Sequence, residues 1–189
     1  MSDHKNQFPE HARRVFKGVL FEVWQWDQKM YDGSTEVFEK LKRADSVNVI
    51  PVIGDNILIQ EQEQPDKPMP FPSLPGGRCE EGEDALSAAR RELLEETGYE
   101  SDDWELWRQE TPSHKIVWTA STFIARNCRY RQAPVLDAGE KITTQLISFD
   151  DVLLLADNPR FYERELAVPF LRMRLDPKLK EEFCARLFK

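Results

Sequence analysis

Positive charge and cysteine are both in short supply in this chain. Of 189 residues, 26 are Lys or Arg against 34 Asp or Glu, a formal net charge of -8. Nucleic-acid backbones are held chiefly by basic side chains, so a general nucleic-acid partner is not expected. Cys79, Cys128 and Cys184 are odd in number and far apart, which excludes a disulfide framework and a cysteine metal set. Free thiols in a reducing cytosol, hence a cytoplasmic protein, is the expectation. No run of about 18 apolar residues occurs, so no membrane partner is expected. Met1 to Glu10 is polar and has nothing resembling a secretory signal. His4, His11 and His114 form no cluster, and neither an internal repeat nor a low-complexity run is present. The length suits one domain with an appendage.

What is present begins with strands. Val19 to Trp26 is rich in β-branched and aromatic residues and meets a turn at Tyr31-Asp32-Gly33-Ser34, with Thr35 to Leu41 as the returning strand. Val47 to Ile53 and Ile57 to Glu63 flank a second tight turn, Gly54-Asp55-Asn56. Five prolines between Pro65 and Pro75 predict a stiff loop. Ala85, Leu86, Ala89 and Leu93 then repeat at helical spacing between Gly82 and Gly98, with Gly98 suited to the αL cap and Glu83 and Asp84 expected in the first turn. Trp104 to Gln109, Lys115 to Ala125 and Ile142 to Ile147 read as strands. Phe149 to Ala156, Phe161 to Met173 and Pro177 to Leu187 read as helices. Strands on both sides of a helix, with helices at the end, predict an α/β sandwich around a mixed sheet.

The chemistry lies in the helix. Glu92 is three and four residues from Glu95 and Glu96, so all three share one face. Like charges at that spacing cost a helix roughly 0.2–0.5 kcal/mol per pair. Arg90 and Arg91 are close enough to compensate. Divalent cations are the stronger compensator, because Mg²⁺ takes carboxylate oxygens together with water and phosphate oxygens. An acidic protein can thereby hold a polyanionic ligand. A solvated acidic face is the bland alternative for any such cluster.

The complete spacing resembles the Nudix box. Gly77, Glu83, Arg91, Glu92, Leu93, Glu95, Glu96 and Gly98 match it in register, and Tyr99 stands where the family usually has an aliphatic residue. The resemblance implies an α/β/α sandwich and a metal-dependent hydrolase of phosphoanhydride bonds. By the same resemblance Glu92, Glu95, Glu96 and the Gly76 carbonyl ligate Mg²⁺ or Mn²⁺, and Arg91 orients the glutamates. Glu140, on the stretch Asp137-Ala138-Gly139-Glu140, takes the place of a general base or further ligand, with Asp137 in reserve.

Beyond the box, the chain is similar to the ADP-ribose and nucleoside diphosphate sugar pyrophosphatase branch. That likeness implies a polar segment at residues 1–13, an N-terminal antiparallel β-region at 14–45 often exchanged across a homodimer, and a Nudix domain at 46–189. Two markers of the branch are altered. Glu61-Gln62-Glu63 replaces an arginine position, and Thr111-Pro112-Ser113-His114 lacks a glycine. Arg78 and Lys115 are the replacement positive charges, and Trp26 and Tyr31 of the first hairpin are the candidates to stack on a nucleobase. Trp104, Trp107 and Trp118 are read as packing residues. The implied reaction yields nucleoside monophosphate and sugar phosphate from a small nucleotide substrate. The alternatives are a nucleoside triphosphate pyrophosphohydrolase and a non-catalytic ligand sensor. The intact acids and the absence of a basic helix-turn-helix segment speak against the sensor.

Overall fold

The computed structural model describes residues 8–189, so most of the polar segment expected at residues 1–13, with His4, falls outside the described residues. The chain starts with β1 (Arg13–Lys17), β2 (Glu22–Lys29) and β3 (Thr35–Lys42), an antiparallel meander. Then follow β4 (Ser46–Ile53), β5 (Asn56–Glu63), β6 (Phe71–Ser73), β7 (Gly76–Arg78) and the helix α1 (Ala85–Thr97). Next come β8 (Tyr99–Glu100), β9 (Asp103–Glu110), β10 (Ile116–Val117), β11 (Ala120–Arg126), β12 (Arg129–Tyr130) and β13 (Lys141–Ile147). The helices α2 (Phe149–Leu154), α3 (Arg164–Leu175) and α4 (Pro177–Leu187) complete the chain.

The main sheet runs β13-β5-β4-β11-β9, with β6 beside β5 and β7 beside β4. It is mixed, because β4 and β11 are parallel while the other pairs are antiparallel. Every residue of β11 is buried, as are six of the eight in β4. Strands covered on both faces carry apolar residues without alternation, which is why Val47 to Val52 is an almost unbroken apolar run.

Helix α1 covers one face. Ala88, Ala89 and Leu93 are buried against Val47, Val49, Phe123 and Ala125. Leu93 is wholly enclosed, and its truncation to Ala would cost about 2–5 kcal/mol. Helices α2 to α4 cover the opposite face with a larger core built on Phe161, Phe170, Phe183 and Ile124. The expected α/β/α sandwich with an N-terminal antiparallel region is what the chain forms.

Several local expectations shift. Residues 115–125 are not one strand: β10 joins β3 in the N-terminal sheet, and β11 joins β4 in the main sheet. The changeover is fixed by a distant partner, the Asp45 carboxylate, which accepts from the Thr119 amide at 2.7 Å. The proline-rich segment is not wholly a loop, because Phe71-Pro72-Ser73 pairs with β5 as an edge strand, a place where proline is tolerated. Neither Glu83 nor Asp84 is in the first turn: Asp84 is the N-cap of α1, its side chain accepting from the amides of Leu86 and Ser87, and Glu83 precedes it. The second strand begins at Glu22, after a turn closed by Gly18 N donating to Phe21 O. Among the described residues no helix is long and apolar enough to cross a membrane.

Candidate active site

Three pieces of chain meet beside the first half of β4, the central strand of the main sheet. Strand β7 pairs with β4 through Gly76 opposite Asn48 and lays Gly76 and Gly77 against the acidic face of α1. A β-carbon at Gly77 would collide with the Glu92 carboxylate, so the glycine lets backbone and acid approach. At the other end of α1, Gly98 has φ 74 and donates to Leu94 O. A side chain there would strike Gln132 O. The loop from Arg131 to Glu140 is pinned at that point: Arg131 N donates to Gly98 O at 2.8 Å and Val135 N to Glu95 O at 2.7 Å. Sequence-distant Glu140 is thereby carried to the helix acids. Its charge acts on both Glu92 and Glu96.

A cavity of 1140 Å³ opens over these residues. It brings together Gly76, Arg78, Arg91, Glu92, Glu95, Glu96, Asp137 and Glu140, most of the residues singled out from the sequence. Ten acidic and four basic residues line it, so a diphosphate could not settle there without counter-ions.

The acids differ in their surroundings. Arg91 donates to Glu83 through Nε and Nη2, both at 3.0 Å, a two-pronged pair. Its Nη1 reaches Glu92 at 2.9 Å and Glu95 at 3.1 Å. Arg91 therefore gathers the box acids, as expected of it. Its hydrogen bonds hold the Glu83 carboxyl below the usual carboxylate range. Glu96 is 4% exposed and has no cation beside it. Its Oε2 accepts from Gln60 Nε2 at 2.9 Å and from Gly76 N at 2.8 Å. Burial pushes its carboxyl up to about 8, against those two hydrogen bonds and with help from neighbouring Glu92 and Glu140. Burial likewise raises Glu92, despite Arg91.

Among the described residues, no three His, Cys, Asp or Glu side chains already converge as a ligand set; Glu92 and Glu95 are turned toward Arg91. The donors nonetheless suit a divalent cation. All are hard oxygens, Glu96 is buried without a positive partner, and no hydrogen bond from the described residues reaches its Oε1. A buried acid of this kind is costly unless something charged meets it.

Three sequence candidates lie elsewhere in this chain. Trp26 is buried in the N-terminal sheet beside Phe8 and Phe38. Tyr31 is fully exposed at the hairpin turn. Lys115 sits 5.1 Å from the Phe38 ring. None of the three lines the cavity. Trp118, read as a packing residue, does line it, together with Arg43. The Arg43 guanidinium lies 5.4 Å from the Trp118 ring centroid, and Trp118 Nε1 donates to Ser46 Oγ at 3.2 Å. Leu20, Phe21, Tyr162 and Glu163 also line the walls. No short-range pattern marks Arg43 and Trp118 as partners. Gln62 and Gln64, also in the wall, are announced by the two-residue alternation of β5.

Residues 42–166 match the family profile of the NUDIX domain, and the chain belongs to the Nudix family. It is a Nudix hydrolase. Among its relatives, a "Methanol dehydrogenase activator" of Bacillus methanolicus is 25% identical over 177 residues, spanning 90% of this chain and 94% of its own length. An "ADP-ribose pyrophosphatase" of Bacillus subtilis (strain 168) is 22% identical over 175 residues, spanning 89% and 93%. A solved structure described as an ADP compounds hydrolase superposes with a TM-score of 0.71 at 19% identity, covering 89% of this chain and 94% of that one. That likeness is one of fold.

Proposed function

We propose that this chain cleaves the diphosphate bridge of ADP-ribose or a nucleoside diphosphate sugar, giving nucleoside monophosphate and sugar phosphate. The observation that carries the reading is that Glu92, Glu95, Glu96 and Glu140 all line one cavity, roomy enough for a dinucleotide-sized ligand. The similarity to the protein named ADP-ribose pyrophosphatase supports it.

Glu92, Glu95, Glu96, Glu140 and the Gly76 carbonyl would hold Mg²⁺ or Mn²⁺. When bound, such ions neutralise diphosphate charge and lower the pKa of a coordinated water. Glu140, on a loop and only partly buried, takes the proton of the attacking water. Arg91 keeps Glu92 and Glu95 at fixed spacing. Arg78, whose guanidinium has no carboxylate partner among the described residues, binds phosphate, and the Arg43–Trp118 pair offers a flat surface for a base. Lys115 and Tyr31 meet substrate only if a second copy brings them. The exposed Val15, Phe16, Val19 and Val37 of the N-terminal region support such a homodimer, with residues 14–45 as an exchanged unit ahead of the Nudix domain at 46–189.

Purified protein offered a nucleotide panel in Mg²⁺, with products separated by anion exchange, tests the reading. Monophosphate plus sugar phosphate is expected. Monophosphate plus pyrophosphate from triphosphates alone would replace it with a triphosphate pyrophosphohydrolase, and tight binding without turnover would replace it with a sensor. The relative named a methanol dehydrogenase activator supports a second reading, in which the same hydrolysis serves to activate a dehydrogenase. Adding the protein to such an enzyme and following its rate would decide that.

A further inference from the structure

Strand β5 carries Gln60, Gln62 and, just past its end, Gln64 at every second position. Alternation puts the three amides on one side of the strand. Gln60 and Gln62 are buried, and Gln64 is partly exposed. They are joined head to tail. Gln64 Nε2 donates to Gln62 Oε1 at 3.3 Å, Gln62 Nε2 to Gln60 Oε1 at 2.7 Å, and Gln60 Nε2 to Glu96 Oε2 at 2.9 Å. Ser73 Oγ also donates to Gln60 Oε1, at 3.2 Å. The intervening Glu61 and Glu63 are exposed, and Glu63 pairs with Lys141 at 2.7 Å.

We propose that Gln60, Gln62 and Gln64 form a directional amide chain that positions Glu96, holding back its Oε2 and presenting its Oε1 to the bound cation. The inference rests on the reading of Glu96 as a cation ligand. An amide has a donor end and an acceptor end, whereas a carboxylate only accepts. Ionised, as a cation ligand is, Glu96 obliges Gln60 to turn its nitrogen inward. Gln60 then offers only oxygen to Gln62, and the same choice passes to Gln64. The Gly76 amide donates to the same Oε2 at 2.8 Å, so two donors lock one oxygen and leave the other. At the far end Gln64 lines the cavity, and the chain presents there an acceptor for a hydroxyl or amino group of the substrate.

A filler role would be met more cheaply by apolar residues, since every buried amide must find partners or incur a penalty of about 1–3 kcal/mol. Partners behind a metal ligand commonly set affinity: losing one lowers metal binding or activity by about 10–100-fold. The chain occupies that place for Glu96.

The test titrates metal-free protein with Mn²⁺ by calorimetry and measures kcat and KM with ADP-ribose, for Gln60→Met, Gln62→Met and Glu96→Gln. Met keeps the length and flexibility of Gln without its amide. Both Gln variants are expected to bind Mn²⁺ about 10–100-fold more weakly, Gln60→Met more so, with kcat reduced and KM little changed. If Gln60→Met does not fold, Gln62→Met, one link further from the acid, decides. Mn²⁺ affinity as in wild type in a folded Gln62→Met, while Glu96→Gln loses it, overturns the amide chain alone. Undiminished affinity in Glu96→Gln overturns the ligand reading beneath it.

Discussion

Two glutamates show how differently one protein can treat a carboxylate. Glu105, on β9, accepts from Arg126 Nη2 at 2.8 Å, Arg186 Nε at 2.7 Å and Lys189 Nζ at 3.2 Å. Its burial pushes the carboxyl up, but the bonds from Arg186 and Lys189 outweigh that and hold it below the usual range. Glu96, on α1, is more deeply buried, receives only neutral N–H groups, and is raised to about 8. Glu105 has its cations supplied by the fold and ties β9 to the C-terminal helix. Glu96 lacks a cation, and the fold stabilises the helix and loop that would bring one. The lesson is that an acid's missing partner, rather than its burial, marks it for function.

The contrast breaks most sharply in activity. Glu96→Gln is expected to lower turnover by at least about 100-fold while the thermal midpoint stays within a few degrees of wild type, read by steady-state kinetics and melting on one sample. Glu95→Gln should follow it. Glu105→Ala should do the reverse. It leaves Arg126, whose side chain is 6% exposed, with the Asp103 carboxylate and the Arg186 carbonyl, and chemical denaturation should show a loss of about 2 kcal/mol with turnover per folded molecule retained.

The signs of the pH dependence sharpen the comparison further. Glu105 is lowered in the folded state, so its contribution is present above the unfolded value near 4.5 and is lost as pH falls through the lower folded one. Glu163, fully enclosed and accepting from Leu74 N at 3.2 Å, is raised well above 4.5 by burial. Its cost is absent below 4.5 and grows as pH rises above it, with a slope of at most about 1.4 kcal/mol per pH unit. Glu163→Gln should lessen the fall of stability above pH 4.5 in metal-free protein, Glu92 and Glu96 keeping part of it, and Glu105→Ala should lessen the loss below; denaturant titrations across pH 3–8 (roughly the span in which carboxyls change charge) would show both. The smallest effect belongs to the exposed Lys178–Glu182 pair at 3.9 Å: Glu182→Ala should move stability by less than about 0.5 kcal/mol.

How much of this was legible beforehand divides along the range of the interactions. Helix α1 and its acids are local: glycine, apolar and acidic spacings within residues 77–98 are enough to place them. The sandwich follows from alternating elements. Trp118 reads as packing in the sequence because its partners, Arg43 and Ser46, lie some 72 residues or more away and leave no periodic trace. The split of residues 115–125 between two sheets is equally long-range, since the break falls where the Thr119 amide meets Asp45, 74 residues away. Composition alone draws Glu83 and Asp84 into the first turn of α1, whereas the cap geometry starts the helix after Asp84. The amide chain had a readable period of two, yet its meaning depended on Glu96 lying at its end, which the sheet and helix decide together. Trp26, chosen as an aromatic on a hairpin, is held by Phe38 and Phe8 inside its own sheet.

The most direct test of a cluster built to receive cations is the thermal midpoint as Mn²⁺ is added, because a ligand bound only by the folded state stabilises it with concentration. Wild type and Glu105→Ala should both rise with Mn²⁺, and Glu96→Gln should rise far less. A wild-type midpoint indifferent to Mn²⁺, or an equal rise in Glu96→Gln, would contradict the account.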